Sequence, residues 1–448
     1  MTIVNQKALE EKLQQTAAVA PEIILGQIRE FLLSAKDAEL LSINPYRFAV
    51  ARKLNRLETL KTFLSLTKKG LFNLSWTIHC PSCKGATQQA EHLVSLKHAD
   101  RCPFCKIDFS AGFDKSLEVS FAVNPAIIRP GEVSPYDRIA ASLETEPGIS
   151  IELDPGESHF VAMELKKGNL LVVIPEDQKT FNIAVMEEKA AGTQKIVLAH
   201  RDELGPLTVE RAEAGIAEVV IVNGTPRKKS MLMARMMPQR WPSAAVVSSL
   251  QEFRDLFSAE MLSLDETFSI ESLSFLFTDI KGSTELYERL GDAQAFALVK
   301  EHFAIMERIV RANNGGIVKT IGDAVMAVFV DPRDALHGAG EMIDSFDDLE
   351  TARKLKNSII IKVGIHHGPC IAVTLNDRLD YFGTTVNMAA RVQGLSDGRD
   401  IMASQALIEG SDGVAWLADN TWAHESFVTS LKGLTASHQV HKLFRTKA

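Results

Sequence analysis

Asp279 ends an apolar run, Phe275-Leu276-Phe277-Thr278-Asp279-Ile280, and is followed at once by Lys281-Gly282-Ser283-Thr284. Asp323 ends a second stretch, Lys319-Thr320-Ile321-Gly322-Asp323. A carboxylate beside a loop of small residues that opens a helix can hold a divalent cation and a phosphate together, because carboxylates attract Mg²⁺ and helix-start amides attract anions. Two such carboxylates at one place suit phosphoryl transfer with two metal ions, one activating an attacking hydroxyl and the other clamping a polyphosphate. The plain alternative is a pair of unrelated turn aspartates. Farther along, in Asp380-Tyr381-Phe382-Gly383-Thr384-Thr385-Val386-Asn387-Met388-Ala389-Ala390-Arg391, the side chains of Asn387 and Arg391 stand four apart on a helix starting near Thr385. An amide there can orient a sugar and a guanidinium can neutralise charge developing on phosphate. Taken alone, such a pair is more often an ordinary surface or capping pair.

The elements that must position these residues follow from hydrophobic period. A strand over 273–278 leads into a long amphipathic helix carrying Leu286, Leu290, Phe296, Val299, Phe303, Met306 and Val310 on one face, which stops at Asn313-Asn314-Gly315-Gly316. A hairpin over 317–320 and 324–330, a helix over 333–346 and a strand over 359–365 complete a ferredoxin-like split βαβ order. In that topology the first strand and the first hairpin arm run parallel with the second arm between them. Asp279 and Asp323 then meet at one sheet edge although they are far apart in the chain.

At 448 residues, the chain is too long for one core and suggests roughly two to four domains. It lacks an apolar run long enough to span a bilayer and an N-terminal signal pattern, so a cytoplasmic protein without membrane partners is expected. Its net charge of −8 argues against a coat on nucleic acid. The stretch 47–69, with seven Lys or Arg against one acid, leaves a local nucleic-acid contact open beside the simpler reading of a solvated face. Residues 1–78 read as helical and possible as a winged-helix-like unit, because apolar positions recur at helical spacing over 22–33 and 54–66. Residues 79–116 hold Cys80, Cys83, Cys102 and Cys105 in a C-x2-C-x18-C-x2-C pattern. Four thiolates at that spacing can meet around one structural Zn²⁺, with a redox pair or chance as alternatives. His79, His92 and His98 read as surface residues, and Cys370 as a packed, inert thiol. Residues 117–248 read as a β-rich sandwich or barrel, from short strands at 117–123, 149–153, 170–174, 181–185, 195–199, 207–210, 217–223 and 231–236. Residues 249–270 read as a coupling helix and linker, with Phe253, Phe257 and Met261 along one helix over 250–264. The fold class is thus α+β and multidomain.

Together FTDIKGST, VKTIGDAVMAVF, KVGIHHGP and DYFGTTVNMAARV resemble, in this order, the class III nucleotidyl cyclases, over residues 271–448. The resemblance implies that Asp279 and Asp323 bind two Mg²⁺ or Mn²⁺ ions per active site, with the Ile280 carbonyl, and that Gly282, Ser283 and Thr284 line the triphosphate. It implies that Lys319 and Asp380 select the base, Asn387 and Arg391 stabilise the transition state, and Lys432 adds a phosphate contact. It also implies a homodimer whose sites take the two aspartates from one chain and the Lys, Asp, Asn and Arg from the other. A Lys ammonium donates to a ring nitrogen of adenine and an Asp carboxylate accepts from its amino group, whereas guanine presents a carbonyl and a protonated ring nitrogen. Mismatched buried groups cost about 1–3 kcal/mol each, so ATP is favoured over GTP. The expected activity is adenylyl cyclase, giving 3′,5′-cyclic AMP and pyrophosphate; a catalytically silent regulatory protein and a guanylyl cyclase are the alternatives. The segment 370–380 is shorter than in many members and Val373 stands where glycine is common, which bears on dimer geometry. The N-terminal 270 residues resemble a module found ahead of some bacterial cyclase domains, which implies no ligand.

Overall fold

The computed structural model describes residues 3–81, 86–102, 107–133, 149–174, 179–189, 192–200, 211–236, 241–353, 359–410, 413, 416–417, 422–434 and 436–445. Two compact units emerge: Met1–Glu91 with Ala99–Ala111 and Lys115–Pro242, and His92–His98 with Gly112–Asp114 and Ser243–Ala448. Among the described residues, no helix is long and apolar enough to cross a membrane.

In the first unit, helices Gln6–Thr16, Pro45–Ala51 and Arg56–Lys68 each start at an asparagine whose side chain accepts from first-turn amides: Asn5, Asn44 and Asn55. Each such cap contributes about 1 kcal/mol. Helices Glu22–Ser34 and Asp37–Leu41 complete the group. Phe63 packs 4.7 Å from Phe72, 5.2 Å from Phe121 and 5.5 Å from Phe48, which seats the helices on a three-stranded sheet of Ala86–Ala90, Phe72–His79 and Leu117–Val123. Downstream, seven strands share one apolar core containing Leu170, Val172, Leu198, Val219 and Met231. Strand Arg211–Asn223 pairs with Lys179–Lys189 through its first residues and, beyond Gly215, with Ser158–Leu165 and Gln194–His200, so it passes between two strand groups. The sequence reading missed Ser158–Leu165; the expected strand at 207–210 lies outside the described residues.

The second unit is built from β1 (Phe268–Ile280), α1 (Ser283–Leu290), α2 (Asp292–Ala312), β2 (Gly316–Ile321), β3 (Ala324–Phe329), α3 (Pro332–Arg353), β4 (Ile361–Leu375), β5 (Arg378–Phe382), α4 (Thr384–Gln393), β6 (Ile401–Ser404), α5 (Gln405–Gly410), β7 (Trp422–Ser430) and β8 (Ser437–Arg445). The sheet runs β2-β3-β1-β4-β6-β8-β7, with β5 paired to β4. Its first four strands keep the ferredoxin-like order; the chain then extends the sheet by a parallel β4–β6 step and the β7–β8 hairpin, which the sequence reading did not foresee. Met306, Ile309 and Val310 of α2 and Leu336, Met342 and Ile343 of α3 pack with Leu276, Val325, Ile361, Val363 and Ile365. By strand alternation, Asp279, Lys362 and Gly364 lie on the other face. That face carries α4, and Gly364 is where α4 touches: a Cβ there would stand 2.1 Å from the Gln393 backbone.

Three expectations need correction. The helix after β1 is two helices, because Gly291 sits at φ 75°; the break resets the helical phase, and Phe296 is 72% exposed rather than part of the buried stripe. The coupling helix is two short helices, Ala244–Ser249 and Gln251–Leu256, separated by extended Leu250 and followed by irregular chain, so Met261 continues no helical stripe. His79, expected at the surface, is largely buried with Nε2 2.6 Å from Glu118, whereas His92 and His98 lie at the surface as expected but have partners. His92 Nδ1 lies 2.6 Å from Glu260 and His98 Nδ1 2.6 Å from Glu266, pairs that hold their loop to the linker. The shortened 370–380 segment is a tight hairpin: Asn376 and Asp377 at φ 51° and 57° fit a two-residue primed turn between β4 and β5. Cys370 is buried and its thiol is pushed up to about 12 by burial, as expected of an inert cysteine.

Gly364→Ala is expected to destabilise the chain by about 3 kcal/mol, since the added carbon meets backbone that cannot swing away; a shift in denaturant midpoint of the full-length protein checks this. His366, bonded through Nδ1 to Ser404 Oγ at 2.7 Å, is pushed down to about 4 by burial, with His367 and His438 adding to the effect. The unfolded chain takes up this proton near pH 6.5 and the folded chain only near 4, so stability is fully present above about pH 6.5 and falls toward pH 4. His366→Gln should flatten that fall in thermal melts taken between the two values.

Candidate functional site

The β2–β3 hairpin places Asp323 beside the end of β1. Thr278 pairs with Val325 and Ile321 with Ala324, so the turn at Gly322-Asp323 comes level with Asp279. Burial first, and then the Asp323 charge, hold the Asp279 carboxyl above its ordinary value, against a lowering by Lys362. Burial first, and then the same two aspartates, raise the Tyr287 hydroxyl on α1. Asp323 Oδ2 is buried without a hydrogen-bond partner. Two crowded carboxylates and an orphaned carboxylate oxygen fit a divalent cation, which would relieve the repulsion and satisfy the oxygen together. Ile280 ends β1 beside them, and Gly282, at φ 65°, starts α1 without any side-chain cap, which leaves the amides over Ser283 and Thr284 for an anion.

The other expected residues form separate groups. Lys319 of β2 and Asp380 of β5 join directly, Nζ to Oδ2 at 2.5 Å, while Asp380 Oδ1 accepts from Tyr381 N at 2.7 Å. Asp380 is 5% exposed, so its charge rests on these two partners. Asn387 and Arg391 share α4, and Arg391 Nη2 lies 3.3 Å from where a Cβ of Gly433 would be, which puts the Lys432 loop beside Arg391. Among the described residues, no hydrogen bond or ion pair links Asn387 or Arg391 to Asp279 or Asp323.

Cys80 and Cys102 are buried and meet in one cluster with Phe109. Cys83 and Cys105 lie outside the described residues, and among those described no group of three or more His, Cys, Asp or Glu is arranged to hold a metal.

Sequence reasoning missed three neighbours of the aspartate pair. Lys362 stands opposite Asp279 in the β1–β4 register. It was visible as a lone cation in an otherwise apolar strand, Ile361-Lys362-Val363. Tyr287 and His302 gave no such signal. His302 is fully buried on α2 and pushed down to about 4 by burial, with the Asp323 charge and backbone opposing, so a neutral imidazole backs the Asp323 turn.

Residues 266–417 match the family model described as the adenylate and guanylate cyclase catalytic domain, and residues 3–142 match a family of unknown function (DUF5939). An adenylate cyclase of Mycosarcoma maydis is 32% identical over 171 residues, which cover 34% of this chain and 7% of that protein. An adenylate cyclase of Anabaena cylindrica is 30% identical over 154 residues, 31% of each chain. The chain thus spans only a minor part of the length of these relatives. The solved adenylyl cyclase CyaB from P. aeruginosa aligns with 41% of this chain and 97% of its own, at 24% identity and a TM-score of 0.35. The C-terminal part of the chain therefore carries a class III adenylyl or guanylyl cyclase catalytic domain.

Proposed function

We propose that the chain is an adenylyl cyclase that converts ATP to 3′,5′-cyclic AMP and pyrophosphate at sites shared by two copies of itself. The observation that carries this reading is the Lys319–Asp380 pair, an ammonium and a carboxylate joined at 2.5 Å in a domain that also crowds two aspartates at one sheet edge. In the absence of nucleotide, each member of the pair satisfies the other. Adenine enters by taking the Lys319 donor on a ring nitrogen and giving its amino hydrogens to Asp380; guanine would set a protonated nitrogen against the ammonium.

The reaction is internal to the substrate. The ribose 3′ oxygen attacks the α-phosphorus, the bond to the β-phosphate oxygen breaks, pyrophosphate leaves with that electron pair, and the hydroxyl proton is lost. No protein nucleophile is needed, so the chain's work is positioning and charge stabilisation. Asn387 orients the ribose, and Arg391 faces the charge that grows on the α-phosphate. Gly282, Ser283 and Thr284 hold the triphosphate through helix-start amides, with Lys432 as a further cation. Asp279, Asp323 and the Ile280 carbonyl would hold two Mg²⁺ or Mn²⁺ ions, which supply hydroxyl activation and charge neutralisation when bound. A two-fold homodimer that exchanges these half-sets, as the resemblance to the class III cyclases implies, completes two sites. Cys80, Cys83, Cys102 and Cys105 would hold one Zn²⁺ with a structural role, supported by the meeting of Cys80 and Cys102 in one buried cluster.

Purified full-length protein with ATP and Mn²⁺ or Mg²⁺ should form cyclic AMP, and Asp323→Ala should lower the rate about a thousandfold or more. Arg391→Ala should lower kcat with little change in KM, because its contact strengthens only as charge develops. A folded dimer that forms no cyclic AMP would overturn the proposal, as would cyclic GMP formed faster than cyclic AMP. Metal analysis should find one zinc per chain, lost together with stability in Cys80→Ser; a zinc-free chain of unchanged stability would remove that part.

A further inference from the structure

Lys319 and Asp380 come from strands that do not touch in the sheet: β2 is at its edge, and β3, β1 and β4 lie between it and β5. One short segment ahead of the sheet grips both. Toward β2, Gln251 N donates to Gly315 O at 3.0 Å and Gln251 Oε1 accepts from Ile317 N at 2.7 Å, two residues before Lys319. A Cβ at Gly316 would stand 2.6 Å from Ser249 O, so glycine is what lets the two backbones approach. Toward β5, Arg254 Nη1 donates to Leu379 O at 3.4 Å and the guanidinium lies 5.4 Å from the centre of the Tyr381 ring. Ser248 Oγ bonds the Tyr381 hydroxyl at 2.9 Å. Asp380 sits between Leu379 and Tyr381. The contacts of one segment therefore flank both members of the pair.

We infer that Gln251 and Arg254 are positioning residues for base recognition: the segment Ala244–Leu256 sets the separation of Lys319 and Asp380, and with it the preference for adenine over guanine. This rests on the assignment of Lys319 and Asp380 as the base-reading pair. Hydrogen bonding to a base is steep in distance, and a misplacement of about 1 Å can cost a hundredfold. Tyr381 is fully buried, and burial raises its hydroxyl, so the group remains a neutral phenol that bonds Ser248 at any pH the protein meets. A cleft of about 310 Å³ is lined by Gln251, Arg254 and Asp255 of the segment together with Lys319, Arg378 and Leu379, so segment and base-reading strands face one space.

The test measures binding of 3′-deoxy-ATP and 3′-deoxy-GTP, which lack the attacking hydroxyl, to the full-length chain and to Gln251→Leu, Gln251→Glu and Arg254→Met. The unaltered chain should prefer the adenine nucleotide. Gln251→Leu, which removes the acceptor for Ile317 N, and Arg254→Met should each cut that preference about tenfold. Gln251→Glu, which keeps an acceptor oxygen, should retain it. Met342→Val, in the core that α2 and α3 form on the sheet, should lower Tm and leave the preference unchanged, separating positioning from general destabilisation. A preference that Gln251→Leu and Arg254→Met both keep would overturn the inference alone. Equal binding of the two nucleotides by the unaltered chain would overturn the base-reading assignment and the inference with it.

Discussion

Two carboxylates that repel one another, Asp279 and Asp323, are the constraint on which the C-terminal structure depends. Each sits where a strand gives way to a turn, and pairing of β3 against β1 forces them to the same edge. The cost shows in the raised Asp279 carboxyl and the unpartnered Asp323 oxygen. A fold does not keep such an arrangement for stability, since like charges in a partly dry site oppose folding. What holds it is the core on the far side of the sheet, where α2 and α3 bury Met306, Ile309, Leu336 and Met342 against β1, β3 and β4. Hydrophobic burial on one face thus offsets electrostatic strain on the other.

The remaining site groups are set out around that edge by contacts that tolerate little change. Gly364 lets α4 rest on β4, which fixes the axis along which Asn387 and Arg391 point. The two-residue turn at Asn376-Asp377 fixes where β5 returns and hence where Asp380 stands. The segment that precedes β1 reaches both β2 and β5, so the chain entering the catalytic unit is also a brace across it.

Beyond that brace, hydrogen bonds to carboxylates hold the chain on either side of the start of β1. Glu260 binds His92 and the Leu93 amide, Glu266 binds the side chain and amide of His98, and Asp114 accepts from Glu271 N at 2.8 Å. The two loops that make these bonds, 92–98 and 112–114, lie in and just after the spacer between the two cysteine pairs.

Sequence alone marked the candidate residues and the order of the elements that carry them. The acids at strand ends, the hairpin between them and the helix with Asn387 and Arg391 follow from local pattern, because strand and helix periods and turn residues are written in neighbouring positions. The parallel relation of β1 and β2, and so the meeting of Asp279 with Asp323, followed from the order βαββ without any long-range information. Tertiary structure decided what no local pattern encodes. Gly291 broke one expected helix into two, since a single backbone angle outweighs a continuing apolar stripe, and the helix expected over 250–264 stops at Leu256. Lys362 became a neighbour of Asp279 only through pairing of strands some eighty positions apart, and His302 came to back Asp323 only through packing of α2. His92 and His98, featureless in sequence, acquired partners because Glu260 and Glu266 lie beside them in space alone. Periodicity reports which face of an element is buried; it does not report which other element buries it.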